Sequence, residues 1–367
     1  MPFYTGLKKF IEPNPTDYFV KQYDKPKQKL ESIVKNLLDL KKGIRAEGIP
    51  LKTVSDTLLL ATWNLREFDS NGKKLGPRLD ESFYYIAEVI SSFDLVALQE
   101  IRNDIRPLKR ILSILGPGRD FLVTDVTEGT SGNGERMAFV YDKSKVLFTN
   151  IAGEIVLPVT KNTKDKLQFA RTPYLVCFQA GWLKLNLCTV HMFYGSDKEM
   201  SRRIGEIADL AKFFQKRSNV DNENYILLGD FNIVGRQHET MKALEKGDFS
   251  IPDQLKKTPG SNLDQSKFYD QIVYRDKRGD IKFTNKAGVF NVFKYVFQDN
   301  QMNNYLMDYN MLMKHNKKKQ VSKLTPKLYK EWKSFQISDH LPLWVEFKID
   351  FSEQYLQKLP SILRKSN

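Results

Sequence analysis

Cysteine is nearly absent from this chain. Cys177 and Cys188 are the only two in 367 residues, and each sits in an apolar run, YLVCFQ or LNLCTV, that reads as a strand. Buried free thiols are expected rather than a bridge, and a thiolate zinc site is excluded. Long hydrophobic runs are missing as well: nowhere do about 18 apolar residues follow one another, as a membrane-spanning helix needs. The opening MPFYTGLKKFIEPNP has no apolar segment after its charges. No signal peptide is read there, and a soluble, cytoplasmic protein is the expectation. Internal repeats are also lacking. What the chain has in excess is positive charge, with 58 Lys and Arg against 44 Asp and Glu, a formal +14. That surplus suits a polyanionic partner, either nucleic acid or an anionic membrane surface, although ordinary basic solubility would also produce it.

With 41% apolar and 12% aromatic residues the chain can bury a large core, as one big α/β domain or two of ordinary size. Residues 1–56 read as an N-terminal helical appendage: Leu30, Ile33, Val34, Leu37, Leu38 and Ile44 recur at helical spacing, and Gly43 or Gly48 would end the helix. From Thr57 onward strands and helices alternate. TLLLATWNL, DLVALQEI, ERMAFVYD, TPYLVCFQAGWLKLNLCTVH and NYILLGDFNI are strand candidates, while ESFYYIAEVISSF and MSRRIGEIADLAKFFQKRS have the pattern of amphipathic helices. A turn at Gly181-Trp182 makes part of the sheet antiparallel. Helices outside mixed sheets are the expected architecture. Between about 285 and 335 the alternation lapses into a stretch rich in Asn, Met, Tyr and Lys.

Polar residues gather where the strands end. Asn64 closes LLLATWN, Glu100 closes DLVALQE, His191 closes LNLCTVH, Asp230 and Asn232 close YILLGDFN, and Asp339 with His340 precedes LPLWVEF. In an extended strand Asp230 and Asn232 would point the same way. Taken one at a time, such residues are caps and turns. Together they form the inventory of a metal-assisted phosphoester hydrolase: hard oxygen ligands for Mg²⁺ or Mn²⁺, and imidazoles for proton transfer near neutral pH.

The motifs WNL, LQE, ERMAFVYD, TVHMFYG, GDFN and SDHLPL follow the order and approximate spacing of the endonuclease/exonuclease/phosphatase superfamily, and the chain resembles its deoxyribonuclease I-like branch. The resemblance spans roughly 57–350, taken as the catalytic domain with a basic insertion at about 285–335; 351–367 would be a C-terminal tail. It implies an α/β (α+β) four-layer sandwich of two packed mixed β-sheets flanked by helices. It also implies Glu100 as the principal metal ligand with Asn64 beside it, and Asp339 completing the acidic ring. Asp230 and Asn232 would orient the attacking water and hold the scissile phosphate or a second metal. His340 would be paired with Asp270, and His191 oriented by Glu135; such carboxylate partners raise both imidazole pKa values. Arg171 resembles a phosphate-contacting arginine and Arg102 one that contacts DNA. Asn133 falls where the branch has a groove-stacking tyrosine, so that contact is not expected here. His238 and His315 match no motif and read as surface residues.

The resemblance fixes a phosphoester bond but not its carrier, since the superfamily includes nucleases, sphingomyelinases and inositol polyphosphate phosphatases. Double-stranded DNA is the favoured partner, cleaved as an endonuclease by a monomeric, Mg²⁺- or Mn²⁺-dependent enzyme, because phosphate neutralisation dominates nucleic-acid affinity. A lipid head-group or inositol-phosphate phosphoesterase is the alternative, and an inactive nucleic-acid-binding scaffold a third reading. The run KHNKKKQVSKLTPKLYKEWK from Lys314 to Lys333 carries eight lysines and one acid. A run of this kind is a solvated face or, so near SDH, a clamp in which Lys317, Lys318 and Lys319 meet phosphates and Tyr329 and Trp332 stack on bases.

Overall fold

The apolar run TLLLATWNL becomes β1 (Thr57–Phe68), and its side chains divide strictly between two cores. Leu58 and Leu60 join one cluster; Leu59, Ala61, Trp63 and Leu65 join the other. A strand buried on both faces lies inside a stack of layers. In the computed structural model, residues 2–14, 16, 17, 20–69, 75–128, 133–157 and 168–363 are described. Residues 364–367 of the expected tail, and residues 1, 15, 18 and 19 of the N-terminal segment, lie outside the described residues.

The first sheet has six strands in the order β10 (Phe283–Val289), β11 (Leu343–Lys348), β1, β2 (Leu95–Arg102), β4 (Glu135–Asp142) and β3 (Arg119–Val123). The second has five, β5 (Leu147–Glu154), β6 (Tyr174–Ala180), β7 (Leu183–His191), β8 (Tyr225–Asp230) and β9 (Asp270–Arg275). Among the described strands, β1 runs parallel to β2 and β7 to β8, and all other pairs are antiparallel, so both sheets are mixed. The two sheets meet through Leu58, Leu60, Leu95, Ala97 and Phe139 on one side and Val176, Phe178, Leu185 and Leu187 on the other. Phe139 and Phe178 touch edge to face, with ring centres 5.6 Å apart.

Helices cover the outer faces. α1 (Pro26–Ala46), α2 (Asp80–Ser91), α3 (Arg106–Leu115), α6 (Leu306–His315) and α7 (Pro326–Gln336) bury Ile33, Leu37, Tyr85, Ile111, Leu312 and Trp332 against the outer side of the first sheet. α4 (Met200–Asp221) and α5 (Glu239–Glu245) place Ile207, Leu210, Phe214 and Leu244 against the second, and α8 (Ser352–Leu363) follows β11. Two packed mixed sheets flanked by helices are the fold class that the motifs imply.

Several local expectations hold. α2 and α4 fall on the two amphipathic segments, β6 and β7 form a hairpin through Gly181 in a positive-φ conformation, and both thiols are buried and free. Others change. Gly43 does not end α1 but lies inside it, because a Cβ there would sit 2.2 Å from the Tyr295 ring, which packs on the bare backbone. The helix stops just before Gly48 at φ 83°. α1 also buries Leu40 and Ile44 in the cluster that holds β1 and α2. Tyr329 and Trp332 are 1% and 0% exposed, so neither is available to stack on a base. Their rings instead pack with Tyr305 and Phe297 and fix the polar-looking insertion to the core.

Candidate active site

Strand ends from both sheets deliver the polar residues to one mouth, and each delivery has a local cause. β7 and β8 pair in parallel so that His191 stands opposite Asp230, and β9 places Asp270 on the other side of Asp230. The close approach of β7 depends on Gly229 (φ 137°), where a Cβ would meet the Val190 carbonyl oxygen at 2.2 Å. Register shifts occur beyond Asn64 in β1 and between Leu98 and Ile101 where β2 meets β4. Glu100 stands in that interruption at φ 59°, a backbone state that L-residues avoid and that functional sites retain. Asn232 reaches the site by a turn and not by strand alternation: it has φ 54°, and its N–H donates to Asp230 Oδ1 at 2.9 Å.

Asp230 is the hub. Its Oδ2 accepts from Asn64 Nδ2 at 3.1 Å and lies 3.5 Å from His191 Nε2 and 3.7 Å from His340 Nε2. Each imidazole is held on its far side by a second carboxylate, His191 Nδ1 by Glu135 Oε2 and His340 Nδ1 by Asp270 Oδ2, both at 2.7 Å. Glu135 comes from the first sheet and His191 from the second; Asp270 comes from the second and His340 from the approach to the first; Asn64 and Asp230 are likewise drawn from opposite sheets. Backbone contacts fix the His340 loop. Trp63 Nε1 donates to the His340 carbonyl at 2.9 Å, and Ser338 Oγ accepts from His340 N while donating to the Asn64 carbonyl.

The electrostatics follow from burial set against these partners. Burial lowers the His340 pKa, but Asp270, Asp230 and Asp339 outweigh it and raise it well above the ordinary value. His191 is raised too: burial and Arg171 oppose the charge, Glu135 and Asp230 favour it more. Burial works against ionised Glu135, yet His191 and Arg171 hold its carboxyl down at about 2. Asp230 is likewise held below its ordinary value, burial being outweighed by the two imidazoles. Glu100 goes the other way. Burial raises its pKa, Glu135 and Asp339 add to the rise, and His191 offsets only part of it.

His191 and Arg78 do not fully balance burial and the neighbouring carboxylates at Glu100, and a bound cation would add the missing positive charge. Glu100 Oε1 accepts from Asn64 Nδ2 at 2.9 Å and its Oε2 from Glu67 N at 2.7 Å, so each oxygen keeps a lone pair. Asp339, with its side chain 41% exposed, lies close enough to add to the rise at Glu100 and pairs with Arg66 at 3.5 Å. Among the described residues, no three His, Cys, Asp or Glu side chains converge as a closed metal cage. One largely buried and one exposed carboxylate fit a hard ion such as Mg²⁺, which keeps much of its hydration shell. Asn64 stands beside Glu100, as the resemblance implies. Its nitrogen faces Glu100 and Asp230 while its oxygen accepts from Arg66 N, so it ties the carboxylates together.

Arg171 and Arg102 lie at the rim on the His191 side. Arg171 makes a two-pronged pair with Glu135 at 2.7 and 3.1 Å; Arg102 approaches the same carboxylate at 3.5 Å, and its Nη1 has no hydrogen-bond partner among the described residues. Asn133 also serves Glu135, donating at 2.9 Å. Lys317, Lys318 and Lys319 are exposed on the turn after α6, whose Asn316 donates to the Gly76 carbonyl. That contact sets the turn against Gly76. His238 is only partly exposed, its Nδ1 capping α5 by accepting from Thr240 N.

One residue that sequence reasoning missed is Arg78. Fully buried, it donates to the carbonyls of Leu65 and Arg66 at 2.6 Å each and of Glu67 at 3.3 Å. It thereby braces the segment in which Arg66 and Glu67 both have φ 43° and from which Glu67 N grips Glu100. Burial lowers its pKa to about 10, still far above neutrality. Nothing in GPRLDES marks such a role.

No family model matches the chain. A deoxyribonuclease of Thioalkalivibrio sp. (strain K90mix) is 26% identical over 193 residues, covering 50% of this chain and 48% of that protein, so the match spans about half the length of that relative. Among solved structures, the human nocturnin catalytic domain with bound sulfate aligns over 79% of this chain and 94% of its own, at 15% identity and a TM-score of 0.50. An endonuclease/exonuclease/phosphatase family protein from Bacteroides thetaiotaomicron aligns over 81% and 99%, at 19% identity and a TM-score of 0.48. The resemblance read from the motifs stands, as a likeness of fold.

Proposed function

We propose that this chain, built on the endonuclease/exonuclease/phosphatase fold, is a divalent-metal-dependent phosphodiesterase that hydrolyses double-stranded DNA as a monomeric endonuclease. One observation carries the phosphoesterase reading: two imidazoles, each backed by its own carboxylate at 2.7 Å, face a single carboxylate, Asp230. In-line displacement at phosphorus needs a proton acceptor for the attacking water and a proton donor for the departing oxygen. The carboxylates hold both rings protonated, so either imidazolium can serve as the donor, and the ionised Asp230 between them faces the same mouth as the acceptor for the proton of the water. Asp230 and Asn232 position the water. Glu100 and Asp339 would hold the cation, which supplies charge relief on the nonbridging phosphate oxygens. Arg171 and Arg102 sit where a neighbouring phosphate would be met, with Lys317, Lys318 and Lys319 further along the duplex.

DNA as the substrate is supported by the formal +14, by the two rim arginines and by the partial likeness to a deoxyribonuclease. Among the described residues no helix is long and apolar enough to cross a membrane. The test is hydrolysis with Mg²⁺ of supercoiled plasmid, sphingomyelin vesicles and inositol polyphosphates in parallel. Plasmid nicking is expected. Release of phosphate or phosphocholine with intact plasmid would instead favour the lipid head-group or inositol-phosphate phosphoesterase.

A further inference from the structure

Beside the mouth lies a groove of about 650 Å³ between the 262–264 loop, the 291–302 segment and α7. It adjoins the site through the backbone. Asn262 forms a bridge with His340, and Leu263 N donates to the Asp339 carbonyl at 3.1 Å, so the next residue, Asp264, is already part of the groove wall. Four lysines line it, Lys294, Lys327, Lys330 and Lys333, against the two acids Asp264 and Asp299. Three of the four are engaged. Lys333 donates to Asp299 at 2.6 Å, Lys330 pairs with Asp264, and Lys294 pairs with Glu47 outside the groove. Lys327 is exposed and has no ion pair among the described residues. Phe293 and Met302 supply an apolar wall, and Tyr329 underlies it.

We propose that this groove is a subsite for the DNA strand that continues past the scissile phosphodiester, with a backbone phosphate held by Lys327 and Lys330 and the attached sugar set against Phe293 and Met302. The inference rests on the DNA reading of the catalytic mouth. Charge, continuity and size all favour this occupant. The lining is net basic, a strand lying over Asp339 and His340 enters the groove within one residue's length, and the volume falls in the range of about 300–1,000 Å³ that holds a nucleotide-sized group. The apolar wall beside cations suits the backbone of one strand of a duplex, an aliphatic surface for the sugar and ammonium groups for the phosphate. The clamp expected at Lys317 to Lys319 therefore has a second basic partner on the His340 side.

Lys327→Glu tests it. Position 327 follows Thr325 and Pro326 in the first turn of α7, where an acid interacts favourably with the helix dipole, so the variant should fold as the parent does. The substitution should raise KM for an oligonucleotide about tenfold and flatten its salt dependence by the equivalent of about one neutralised phosphate. The KM for a small activated diester, bis(nitrophenyl) phosphate, which cannot reach the groove, should not follow. An unchanged oligonucleotide KM would overturn the subsite, and so would equal losses on both substrates. Wild-type hydrolysis of the small diester without any cleavage of DNA would remove the DNA reading itself, and the subsite with it, before any variant is made. Lys327→Ala should fall between the parent and Lys327→Glu.

Discussion

His191 Nδ1 and Glu135 Oε2 stand 2.7 Å apart, although the strands that carry them belong to different sheets. Glu135 stays ionised through the working pH range because its pKa lies at about 2, and its charge holds the His191 pKa above the ordinary 6.5. Glu135→Gln should lower the pKa of His191. The limb of the pH profile of kcat/KM that tracks His191 should then move to lower pH. The stability contribution of the pair has its own sign: a depressed carboxyl stabilises above its ordinary pKa of 4.5, and the contribution is lost as pH falls towards about 2. A profile that does not move in the Gln variant would mean that this dyad does not set the observed ionisation.

Chelation should abolish hydrolysis, and Mg²⁺ or Mn²⁺ should restore it while Zn²⁺ does so poorly, because Glu100 and Asp339 are hard oxygen donors and both thiols are buried within strands β6 and β7. Activity measured in excess chelator decides the matter. Undiminished turnover there would exclude the assignment of Glu100 as a metal ligand.

Glu100→Gln and His191→Ala should each reduce kcat by about 10²- to 10⁴-fold, the range for a lost acid, base or positioned charge. Affinity for uncleaved DNA, measured by fluorescence anisotropy, should change little, since the groups that meet phosphates lie elsewhere. Wild-type nicking by His191→Ala would remove that residue from the chemistry.

Replacing Lys317, Lys318 and Lys319 together by Ala should weaken DNA binding alike for all sequences and reduce the slope of log affinity against log salt by up to about 0.9 for each phosphate that is no longer neutralised. Turnover at saturating DNA should persist. If slope and affinity both stay at parental values, these lysines are a solvated face.

Arg78→Met should destabilise the fold by on the order of 3 kcal/mol, because three carbonyls would be left without their charged donor at a buried position. It should also raise the Mg²⁺ concentration needed for half-maximal rate, since the loop it braces carries the Glu67 N–H that orients Glu100. Arg78→Lys should rescue little: an ammonium cannot fork across three acceptors. Denaturant titration and a Mg²⁺ titration of the rate separate the two effects.

The sequence was most informative where a polar residue breaks an apolar run. His191 and Asp230 each end a strand whose interior is buried, and Glu100 interrupts one two residues before its end; that contrast survives without any knowledge of the fold. Asn232 lies beside Asp230 through a turn and not through strand alternation, and the hydrogen bond to Asp230 on which that turn depends is not encoded in the spacing. Charge patterning misled at Tyr329 and Trp332, where flanking lysines at the surface concealed the apolar face that α7 turns inward. Gly43 reads as a helix stop in one dimension and is a contact with Tyr295 in three. Arg78 and Gly229 were illegible for the same reason: what each does is set by backbone atoms distant from it in sequence or across a neighbouring strand.

Three contacts, Glu135 with His191, Asp270 with His340 and Asn64 with Asp230, span the seam between the sheets. Neither sheet alone holds a working set, so chemical competence appears only when the two slabs close on one another. Substrate turnover is thus a gauge of their alignment, and a sideways slip too small to expose the core would silence all three pairs at once. A substitution at Phe139 or Phe178, deep in the seam and away from the mouth, can therefore mimic a catalytic lesion in a protein that is still folded.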